Sequence, residues 1–381
     1  MEHLRRYQRI WHTFRPLVAA WMKRKFRYDP EVCTVKGPFL VLCNHNTDWD
    51  PLLLACAFPD YMSYVASEHI FRWRLAGRLI RFLLDPIARL KGTTASDTAM
   101  TMLRRMRKGV SVAMFAEGNR SFNGLTNEIL PATGKLARSS GVTLVTYRLD
   151  GAYFTSPRWS STLRRGAMTG RVVGVYTPET LKAMKADEVN AAIRRDLAAD
   201  AYAEQRRKMI PFRGKRLAEH LETVLCRCPR CGKIGSLRSA DDTLRCGCGF
   251  SVRYNEYGFL EGPDAPFDNI TEWDALQTEQ LCALADAADG LIFSDDAMEL
   301  KEIFPGSHTE AHLGSGVMAL YPDHLECCGQ QFPLSEISGF SLVQAQTVEF
   351  TCAGRSFEVR SRQVRCTRKY MTVIHHLKQA R

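Results

Sequence analysis

A short apolar run that ends abruptly in polar residues is the feature that most constrains the fold of this chain. Residues 39–43 read Phe-Leu-Val-Leu-Cys, and Asn-His-Asn-Thr-Asp-Trp-Asp separates them from a second apolar run at residues 51–58. Runs this short predict a buried strand, and a proline at the start of the second run indicates a helix. We therefore expect a strand, a polar turn and a helix. This is the unit of α/β sheets, which bind ligands at the carboxyl ends of their strands.

Two residues of the polar turn, His45 and Asp50, have side chains suited to acid–base chemistry. A histidine can take up a proton near neutral pH. A neighbouring carboxylate can hold the ring in one tautomer and stabilise the imidazolium that forms. A structural interpretation stays open, in which Asp50 caps the helix that begins at Pro51 and His45 is an ordinary loop residue.

A second strand exit follows at residues 112–121, which read Val-Ala-Met-Phe-Ala-Glu-Gly-Asn-Arg-Ser. Gly118 permits a tight turn there, and Arg120 offers a planar fork of donors that suits phosphate. A helical pattern between Ser96 and Gly109 precedes this strand. Strand, helix and strand in this order predict a parallel sheet with crossover helices.

The two blocks together, Asn-His-x-x-x-x-Asp and Phe-x-Glu-Gly-x-Arg-Ser, resemble the glycerolipid acyltransferase family, whose best-known members acylate lysophosphatidic acid. The resemblance covers about residues 30–215. It implies an α/β fold with a mostly parallel sheet flanked by helices. It also implies that His45 is the general base for the acceptor hydroxyl and that Asp50 orients it.

The same resemblance implies a site for the phosphate of the acceptor. Arg120 would bind that phosphate together with Arg89, which lies in the block Pro-Ile-Ala-Arg-Leu-Lys-Gly, and Glu117 and Gly118 would shape the acceptor site. The implied reaction moves a fatty acyl group from a thioester, on coenzyme A or acyl carrier protein, to a hydroxyl of a lysophospholipid. Neither a covalent acyl-enzyme nor a catalytic metal is part of it.

The sequence departs from the family pattern around the acceptor and acyl pocket. Ala116 stands where the family usually has proline, and Asn119 stands where it usually has threonine. No lysine shortly precedes Gly134, and the fourth block at residues 143–147 lacks the usual proline. These departures bear on substrate choice and leave the acid–base pair intact.

Basic residues are concentrated at the start of a chain whose formal net charge of +11 favours an anionic partner. Residues 3–27 predict a basic, aromatic helix that Pro16 kinks or splits in two, the pattern of a helix that lies in a membrane interface. An ordinary helix packed on the domain is the alternative. Because no apolar run reaches about 18 residues and no signal-like segment is present, we expect a peripheral protein on the cytoplasmic face of the membrane.

Two close cysteine pairs, Cys228 with Cys231 and Cys246 with Cys248, are each followed by a glycine and resemble a zinc ribbon. Four thiolates are the donor set of a closed, structural zinc site. Cys226 is a spare donor, and a redox dithiol is the rival interpretation, although it needs no second pair. Thirteen cysteines without a secretory signal indicate a reducing cytoplasm rather than a disulfide framework.

The C-terminal part of the chain alternates as short strands do. Five strand patterns between Val317 and Val359, followed by a helix at about residues 367–379, resemble a pleckstrin-homology-like module. We expect five segments: a membrane-interface helix (1–28), the acyltransferase domain (29–215), the zinc ribbon (216–260), an acidic linker (261–290) and an antiparallel β domain with a final helix (291–381).

The sequence thus predicts a membrane-associated O-acyltransferase of phospholipid biosynthesis or remodelling. Its expected partners are membrane lipids and an acyl thioester donor, including acyl carrier protein, with no nucleic acid. Two other classes stay open: a zinc-ribbon nucleic-acid-binding protein, which leaves both strand-exit blocks unexplained, and a non-catalytic lipid-binding scaffold. A serine or cysteine nucleophile is a rival mechanism, but no nucleophile-elbow motif is present.

Overall fold

A computed structural model describes residues 2–67, 70, 78, 80, 82, 84–89 and 96–379 of the chain. These residues form two compact units. The first is built from the described residues up to 158 together with residues 163–214, and the second is built from residues 159–162 and from residue 215 onward.

The first unit alternates between helices and strands. Its elements in chain order are α1 (Glu2–Phe26), β1 (Tyr28–Pro30), β2 (Phe39–Cys43), α2 (Asp50–Ala57), β3 (Met62–Ser67), β4 (Ile87–Arg89), α3 (Ser96–Arg107), β5 (Ser111–Phe115), α4 (Pro131–Ser139), β6 (Thr143–Asp150), α5 (Ala152–Thr155), β7 (Met168–Tyr176), α6 (Pro178–Ala183), α7 (Ala186–Leu197) and α8 (Ala201–Lys208).

The strands of the first unit form one sheet in the order β1-β7-β6-β2-β5-β3-β4. Neighbouring strands are parallel at β2–β5, β2–β6, β3–β5, β3–β4 and β1–β7, and antiparallel at β6–β7. The predicted fold class, an α/β unit with a mostly parallel sheet flanked by helices, is confirmed.

Strand β2 lies at the centre of this sheet and is buried on both faces. Phe39, Val41 and Cys43 pack into one hydrophobic cluster, which also contains residues of α1 and α2. Leu40 and Leu42 pack into a second cluster with residues of α3, α4 and α7. Because a strand of a parallel sheet is covered by helices on both sides, it reads as a continuous apolar run rather than an alternating one.

The beginning of α2 differs from the expectation. The helix begins at Asp50, and Trp49 occupies the N-cap position without a side-chain capping hydrogen bond. Asp50 is therefore the first helical residue and not the cap, so the prediction that Asp50 caps this helix is wrong. The physical reason is that its carboxylate accepts hydrogen bonds from the backbone N–H groups of Asn46 and Thr47 in the preceding turn. Pro51 lies in the first helical turn, as predicted.

The second unit is mainly antiparallel. Its elements are β8 (Leu237–Ala240), β9 (Thr243–Cys246), β10 (Ser251–Tyr254), β11 (Leu260–Glu261), α9 (Ile270–Asp286), β12 (Phe293–Phe304), β13 (Thr309–Leu320), β14 (His324–Cys327), β15 (Gln330–Pro333), β16 (Ile337–Val343), β17 (Thr347–Cys352), β18 (Arg355–Ser361) and α10 (Arg368–Gln379). Strands β8–β11 form a four-stranded sheet, in which β9 ends at Cys246. Cys248 lies between β9 and β10.

Strands β12–β18 form a seven-stranded sheet in the order β15-β14-β13-β12-β18-β17-β16, and every pairing in it is antiparallel. The final helix α10 contacts this sheet through Tyr370, whose hydroxyl donates to the carbonyl of Met318 at 2.8 Å. An antiparallel module with a final helix is therefore confirmed. The long β12–β13 hairpin was not anticipated, and both the pleckstrin-homology-like assignment and the five-part division of the chain stay predictions.

Candidate active site and cysteine cluster

The two catalytic candidates lie together on the turn between β2 and α2. Nδ1 of His45 is 2.8 Å from Oδ2 of Asp50. The side chain of Asp50 is fully buried, whereas 20% of the His45 side chain is exposed. The ring is thus held by a buried carboxylate and stays partly accessible to solvent.

The carboxylate of Asp50 organises the whole turn. Its Oδ2 also accepts the backbone N–H groups of Asn46 at 2.6 Å and Thr47 at 2.9 Å. Its Oδ1 accepts the hydroxyl of Thr47 at 2.8 Å. These hydrogen bonds fix the carboxylate, and they therefore fix the orientation of the His45 ring that the carboxylate holds.

The surroundings of His45 keep its ring neutral at neutral pH. Burial, to which the Phe115 ring stacked at 4.4 Å contributes, lowers the pKa of His45 below its usual value, although the Asp50 carboxylate opposes this shift. Because a carboxylate only accepts, Nδ1 carries the proton and Nε2 keeps its lone pair. No hydrogen-bond partner of Nε2 occurs in the described part of the chain, so the ring can accept a proton there.

The turn after β5 is braced against the turn after β2. Oε1 of Glu117 accepts the backbone N–H of His45 at 2.7 Å, and Oε2 accepts the backbone N–H of Asn127 at 2.6 Å. The backbone N–H of Ser121 donates to the carbonyl of His45 at 2.8 Å. Burial raises the pKa of Glu117 to about 8, and the N–H donors oppose this shift. Both carboxylate oxygens are thus engaged within the protein.

Gly118, in the turn after β5, lies beside Arg89, the last residue of β4. Gly118 has a φ of +69°, and a Cβ at this position would lie 3.2 Å from Nη1 of Arg89. The turn therefore needs glycine for its backbone conformation, and a side chain here would also press on the end of the Arg89 guanidinium. Arg89 ends β4, and burial lowers the pKa of its guanidinium. The rest of its sequence block, residues 90–92, lies outside the described residues.

Arg120 places a mostly buried positive charge close to the His45 ring. Its charge lowers the pKa of His45, and this effect is smaller than the effects of burial and of the Asp50 carboxylate. Nη1 of Arg120 is 3.1 Å from Oδ2 of Asp48, and the two side chains are 10% and 79% exposed. A guanidinium in this position is suited to a phosphate group, which accepts its paired N–H donors.

The predicted site residues of this unit converge because of the sheet. Strand β2 ends just before His45, β5 ends just before Glu117, and β4 ends at Arg89. Parallel strands present their carboxyl ends at one edge, where α/β sheets bind ligands. The same edge therefore holds the acid–base pair and the arginines.

Three contributors were not anticipated as parts of the site: Asn44, Asn127 and Asp48. The side-chain amide of Asn44 makes two hydrogen bonds with the backbone of Leu149. Its Nδ2 donates to the Leu149 carbonyl at 3.0 Å, and its Oδ1 accepts the Leu149 N–H at 2.8 Å. The Asn44 side chain thus extends the β2–β6 ladder. A polar residue that directly continues a buried strand is a signal for such a role. The partners of Asn127 and Asp48 are set by other turns, and no local pattern gives them.

A small cavity adjoins the turn between β2 and α2. This cavity has a volume of about 60 Å³, and its wall includes Asn46 from the turn. Leu149, Tyr153, Phe154 and Phe212 are among the side chains that line it. The cavity therefore reaches the turn that carries His45, because Asn46 directly follows His45 in the chain.

The second unit brings four cysteines together. The sulfurs of Cys228, Cys231, Cys246 and Cys248 all lie within 4.8 Å of one another. The Cys228–Cys248 and Cys231–Cys246 sulfur separations are 3.7 Å and 3.8 Å. A tetrahedron of sulfurs about 2.3 Å from a zinc ion has edges of about 3.8 Å. The donor set and its spacing therefore fit a structural zinc ion.

Each cysteine pair is closed by a backbone hydrogen bond from the glycine that follows it, over four residues in the first pair and three in the second. The backbone N–H of Gly232 donates to the carbonyl of Cys228 at 2.9 Å, and that of Gly249 donates to the carbonyl of Cys246 at 3.1 Å. Cys226, the spare donor, does not belong to the cluster of four. All thirteen cysteines are free thiols.

Comparison with known proteins gives two matches. Residues 25–150 match the family model described as Acyltransferase. Among solved structures, the 1-acyl-sn-glycerophosphate (LPA) acyltransferase PlsC from Thermotoga maritima is similar to this chain, with 17% sequence identity and a TM-score of 0.39. That alignment covers 48% of this chain and 78% of the Thermotoga chain.

The matched interval contains the whole candidate active site, from the turn after β2 to the turn after β5. The model's description, Acyltransferase, agrees with the class of enzyme that the two sequence blocks resemble. The family model therefore supports the acyltransferase resemblance for residues 25–150.

Proposed function

We propose that this protein transfers a fatty acyl group from a thioester to a hydroxyl of a lysophospholipid such as lysophosphatidic acid. The observation that carries the proposal is the His45–Asp50 pair, with Nδ1 held at 2.8 Å from the carboxylate and Nε2 available. The family match at residues 25–150 supports acyl transfer as the class of reaction. The thioester can belong to coenzyme A or to acyl carrier protein.

In the proposed mechanism His45 is the general base. Its Nε2 takes the proton of the acceptor hydroxyl while the hydroxyl oxygen attacks the thioester carbonyl carbon. The tetrahedral intermediate then collapses, the C–S bond breaks, and the leaving thiolate receives the proton from His45. Asp50 stabilises the imidazolium between the two steps. A positioned base of this kind contributes typically ~10²–10⁴-fold in rate, and the mechanism needs no catalytic metal.

The acceptor phosphate is assigned to Arg120, with Arg89 as a second cation at the same edge. The support is that Arg120 lies close enough to His45 to affect its pKa, so an acceptor bound there would present its hydroxyl near Nε2. Glu117 and Gly118 would shape this site by bracing the two turns rather than by contacting the substrate, because both oxygens of Glu117 are already hydrogen-bonded.

The proposal is tested by an acyl-transfer assay with the purified full-length protein. A panel of lysophospholipids and monoacylglycerol is offered with acyl-coenzyme A and with acyl carrier protein as donors. We expect ester formation with at least one lysophospholipid. Absence of product with every combination of donor and acceptor, from a folded protein, would contradict the proposed activity and favour a lipid-binding scaffold.

The N-terminal helix supports a peripheral membrane location. No helix in the described part of the chain is long and apolar enough to span a bilayer. One side of α1 is packed, since Trp11 Nε1 donates to the carbonyl of Pro59 at 3.0 Å. Three apolar side chains on it are exposed: Phe14 (55%), Leu17 (70%) and Trp21 (47%). With exposed basic residues on the same helix, these side chains are suited to an anionic membrane surface. The thirteen free thiols are consistent with the cytoplasmic side.

We predict that replacing Phe14 and Leu17 together by serine weakens binding to anionic vesicles about tenfold or more, because two exposed apolar side chains no longer enter the interface. Co-sedimentation with phosphatidylglycerol-containing vesicles measures the effect. Leu291→Ser with Val317→Ser is the matched control, since these side chains are 53% and 52% exposed in the second unit. Equal loss in both double variants would move the membrane contact away from α1.

We also propose that the four clustered cysteines hold one zinc ion for structure. Residues 225–260 form only a small four-stranded sheet, which is too small to bury an adequate core without a metal or similar support. The zinc would be bound by Cys228, Cys231, Cys246 and Cys248. It would take no part in acyl transfer.

Cys231→Ser is expected to remove the zinc and to increase hydrogen exchange in residues 225–260. The physical reason is that a neutral hydroxyl replaces one of four thiolate ligands. Metal analysis of the purified protein gives the stoichiometry, with one zinc per chain expected for the unaltered protein. Cys282→Ser, outside the cluster, is the control. An unaltered protein purified without zinc would refute the ribbon.

A further inference from the structure

Arg120 and Asp48 form an ion pair in which one partner is buried and the other is exposed. The guanidinium of Arg120 is 10% exposed, whereas the carboxylate of Asp48 is 79% exposed and 3.1 Å away. Within the described residues, Asp48 is the acid in ion-pair distance of Arg120. A buried guanidinium is costly to leave without an anion, whereas an exposed carboxylate can turn into water at little cost. The carboxylate can therefore be exchanged for another anion.

The Asp48 side chain does not help to hold the turn together. Most side-chain hydrogen bonds of this turn end on the Asp50 carboxylate. It accepts the backbone N–H groups of Asn46 and Thr47 and the hydroxyl of Thr47. No hydrogen bond of the Asp48 side chain to the turn occurs in the described part of the chain. Moving this carboxylate therefore leaves the catalytic turn intact.

The pair is also next to the reacting atoms. Both charges act on His45, since the carboxylate of Asp48 raises the pKa of His45 and the guanidinium of Arg120 lowers it. An anion that replaces Asp48 on Arg120 would thus be placed near the base that activates the acceptor hydroxyl.

We propose that Asp48 is a placeholder for the acceptor head group: its carboxylate pairs with Arg120 in the free protein and is displaced by the acceptor phosphate. This rests on the proposed function and names its specificity-determining residue. Because phosphate must compete with a carboxylate on the protein itself, Asp48 lowers the affinity for every phosphate-bearing acceptor. It does not affect phosphate-free acceptors in the same way, so it sets the discrimination between the two classes.

The expected size of the effect follows from the strength of exposed ion pairs. Such pairs are weak, and removing the competitor should tighten phosphate binding about two- to fivefold. Asp48→Asn removes the charge and keeps the shape of the side chain. Asp48→Ser removes the carboxylate by a different route and should give the same shift.

The first experiment measures binding without turnover. Glycerol 3-phosphate is titrated into the full-length protein by calorimetry. We expect Asp48→Asn and Asp48→Ser to bind it about two- to fivefold more tightly than the unaltered protein. The matched control is Asp296→Asn, because Asp296 is 72% exposed and 2.7 Å from Arg365, which is 11% exposed. Equal, weaker or undetectable binding in the Asp48 variants would overturn the placeholder.

The second experiment measures the ratio of the KM for lysophosphatidic acid to the KM for monoacylglycerol. This ratio should fall by the same factor in Asp48→Asn, whereas an equal change in both values would show a general effect on the site and overturn the inference. The two experiments also separate this inference from the proposed function. If the unaltered protein has no activity, the proposed function fails, and the glycerol 3-phosphate titration still decides whether Asp48 competes for Arg120.

Discussion

His45→Ala is expected to lower kcat for acyl transfer at least ~100-fold while leaving the fold intact. The variant removes the only group that we assign to taking the proton of the acceptor hydroxyl. The ring is 20% exposed and packs on Phe115 with one face, so its loss should disturb the core little. Steady-state kinetics with the best acceptor and donor, together with circular dichroism, measure both parts of the expectation.

The chain offers a closely matched control for this variant. Nδ1 of His324 is 2.7 Å from Oδ1 of Asp323, its side chain is 19% exposed, and its ring stacks on Tyr321 at 4.4 Å. His324→Ala therefore removes a similar ring from a similar contact in the other unit, and kcat should not change. Near-normal turnover in folded His45→Ala protein would refute the mechanism.

The pH dependence gives an independent check on the same residue. Burial lowers the pKa of His45, so its neutral, proton-accepting form persists below the usual value near 6.5. The kcat/KM should be flat through neutral pH and fall only as the pH decreases through this lowered pKa.

The acyltransferase part of the fold could be predicted because its signals are local. A short apolar run that ends in Asn44 and His45 predicts a strand exit, and Pro51 marks the following helix. The same holds for the run that ends at Glu117. Two such exits separated by a helix imply a parallel sheet, and the edge that carries both turns follows from that topology.

The role of Asp50 could be predicted only in part. Its position before a proline suits a helix cap, and its distance from His45 suits an orienting acid, so the sequence left both interpretations open. The structure shows that the carboxylate turns back over Asn46 and Thr47 instead of capping α2. Several local hydrogen-bonding solutions have similar energies at a helix start, and residue types alone do not decide between them.

The β12–β13 hairpin shows where sequence patterns fail for a different reason. Strand β12 contains Asp295, Asp296, Glu299 and Glu302, and its buried apolar residues are few, so its alternation is weak. Its stability comes from pairing with β13 on one side and β18 on the other. Cross-strand partners that are far apart in the chain determine such a strand, and β-propensity gives little information about them.

Long-range contacts also limit what the sequence predicts about the function of Arg120. Arg120 could be identified from the block Glu-Gly-x-Arg-Ser, because the residue type suits a phosphate. Its pairing with Asp48 joins the turns after β5 and β2, and it could not be derived before those turns were placed together. The specificity that we propose for this site therefore depends on a contact that neither sequence block contains by itself.

Asp50→Asn is expected to reduce kcat by ~10²–10⁴-fold with little loss of stability, the second large effect on activity. The asparagine oxygen can take the place of Oδ2, which accepts hydrogen bonds from His45 Nδ1–H and from the backbone N–H groups of Asn46 and Thr47. Its amide can take the place of Oδ1 and donate to the hydroxyl of Thr47, which accepts as readily as it donates. The turn is therefore preserved, but the negative charge that stabilises the imidazolium is lost.

Asp50→Ala separates the structural role of this carboxylate from its chemical role. It leaves the backbone N–H groups of Asn46 and Thr47 buried without acceptors, and each such loss costs about 1–3 kcal/mol. We expect Asp50→Ala to lower the free energy of unfolding by about 2–5 kcal/mol as well as to abolish activity. Urea denaturation and kinetics on both variants measure the two effects separately.

A buried acid away from the site provides the control for both variants. Asp196 accepts the hydroxyls of Thr146 at 2.8 Å and Tyr176 at 2.6 Å, so Asp196→Asn should lower stability without changing kcat. If Asp50→Asn were as unstable as Asp50→Ala, the charge of Asp50 would be needed for the turn itself. If Asp50→Asn kept near-normal kcat, His45 would work without a charged partner, and the acid–base pair would have to be replaced by another mechanism. An active enzyme that loses kcat but not stability in Asp50→Asn is the one result that assigns the carboxylate to the imidazolium.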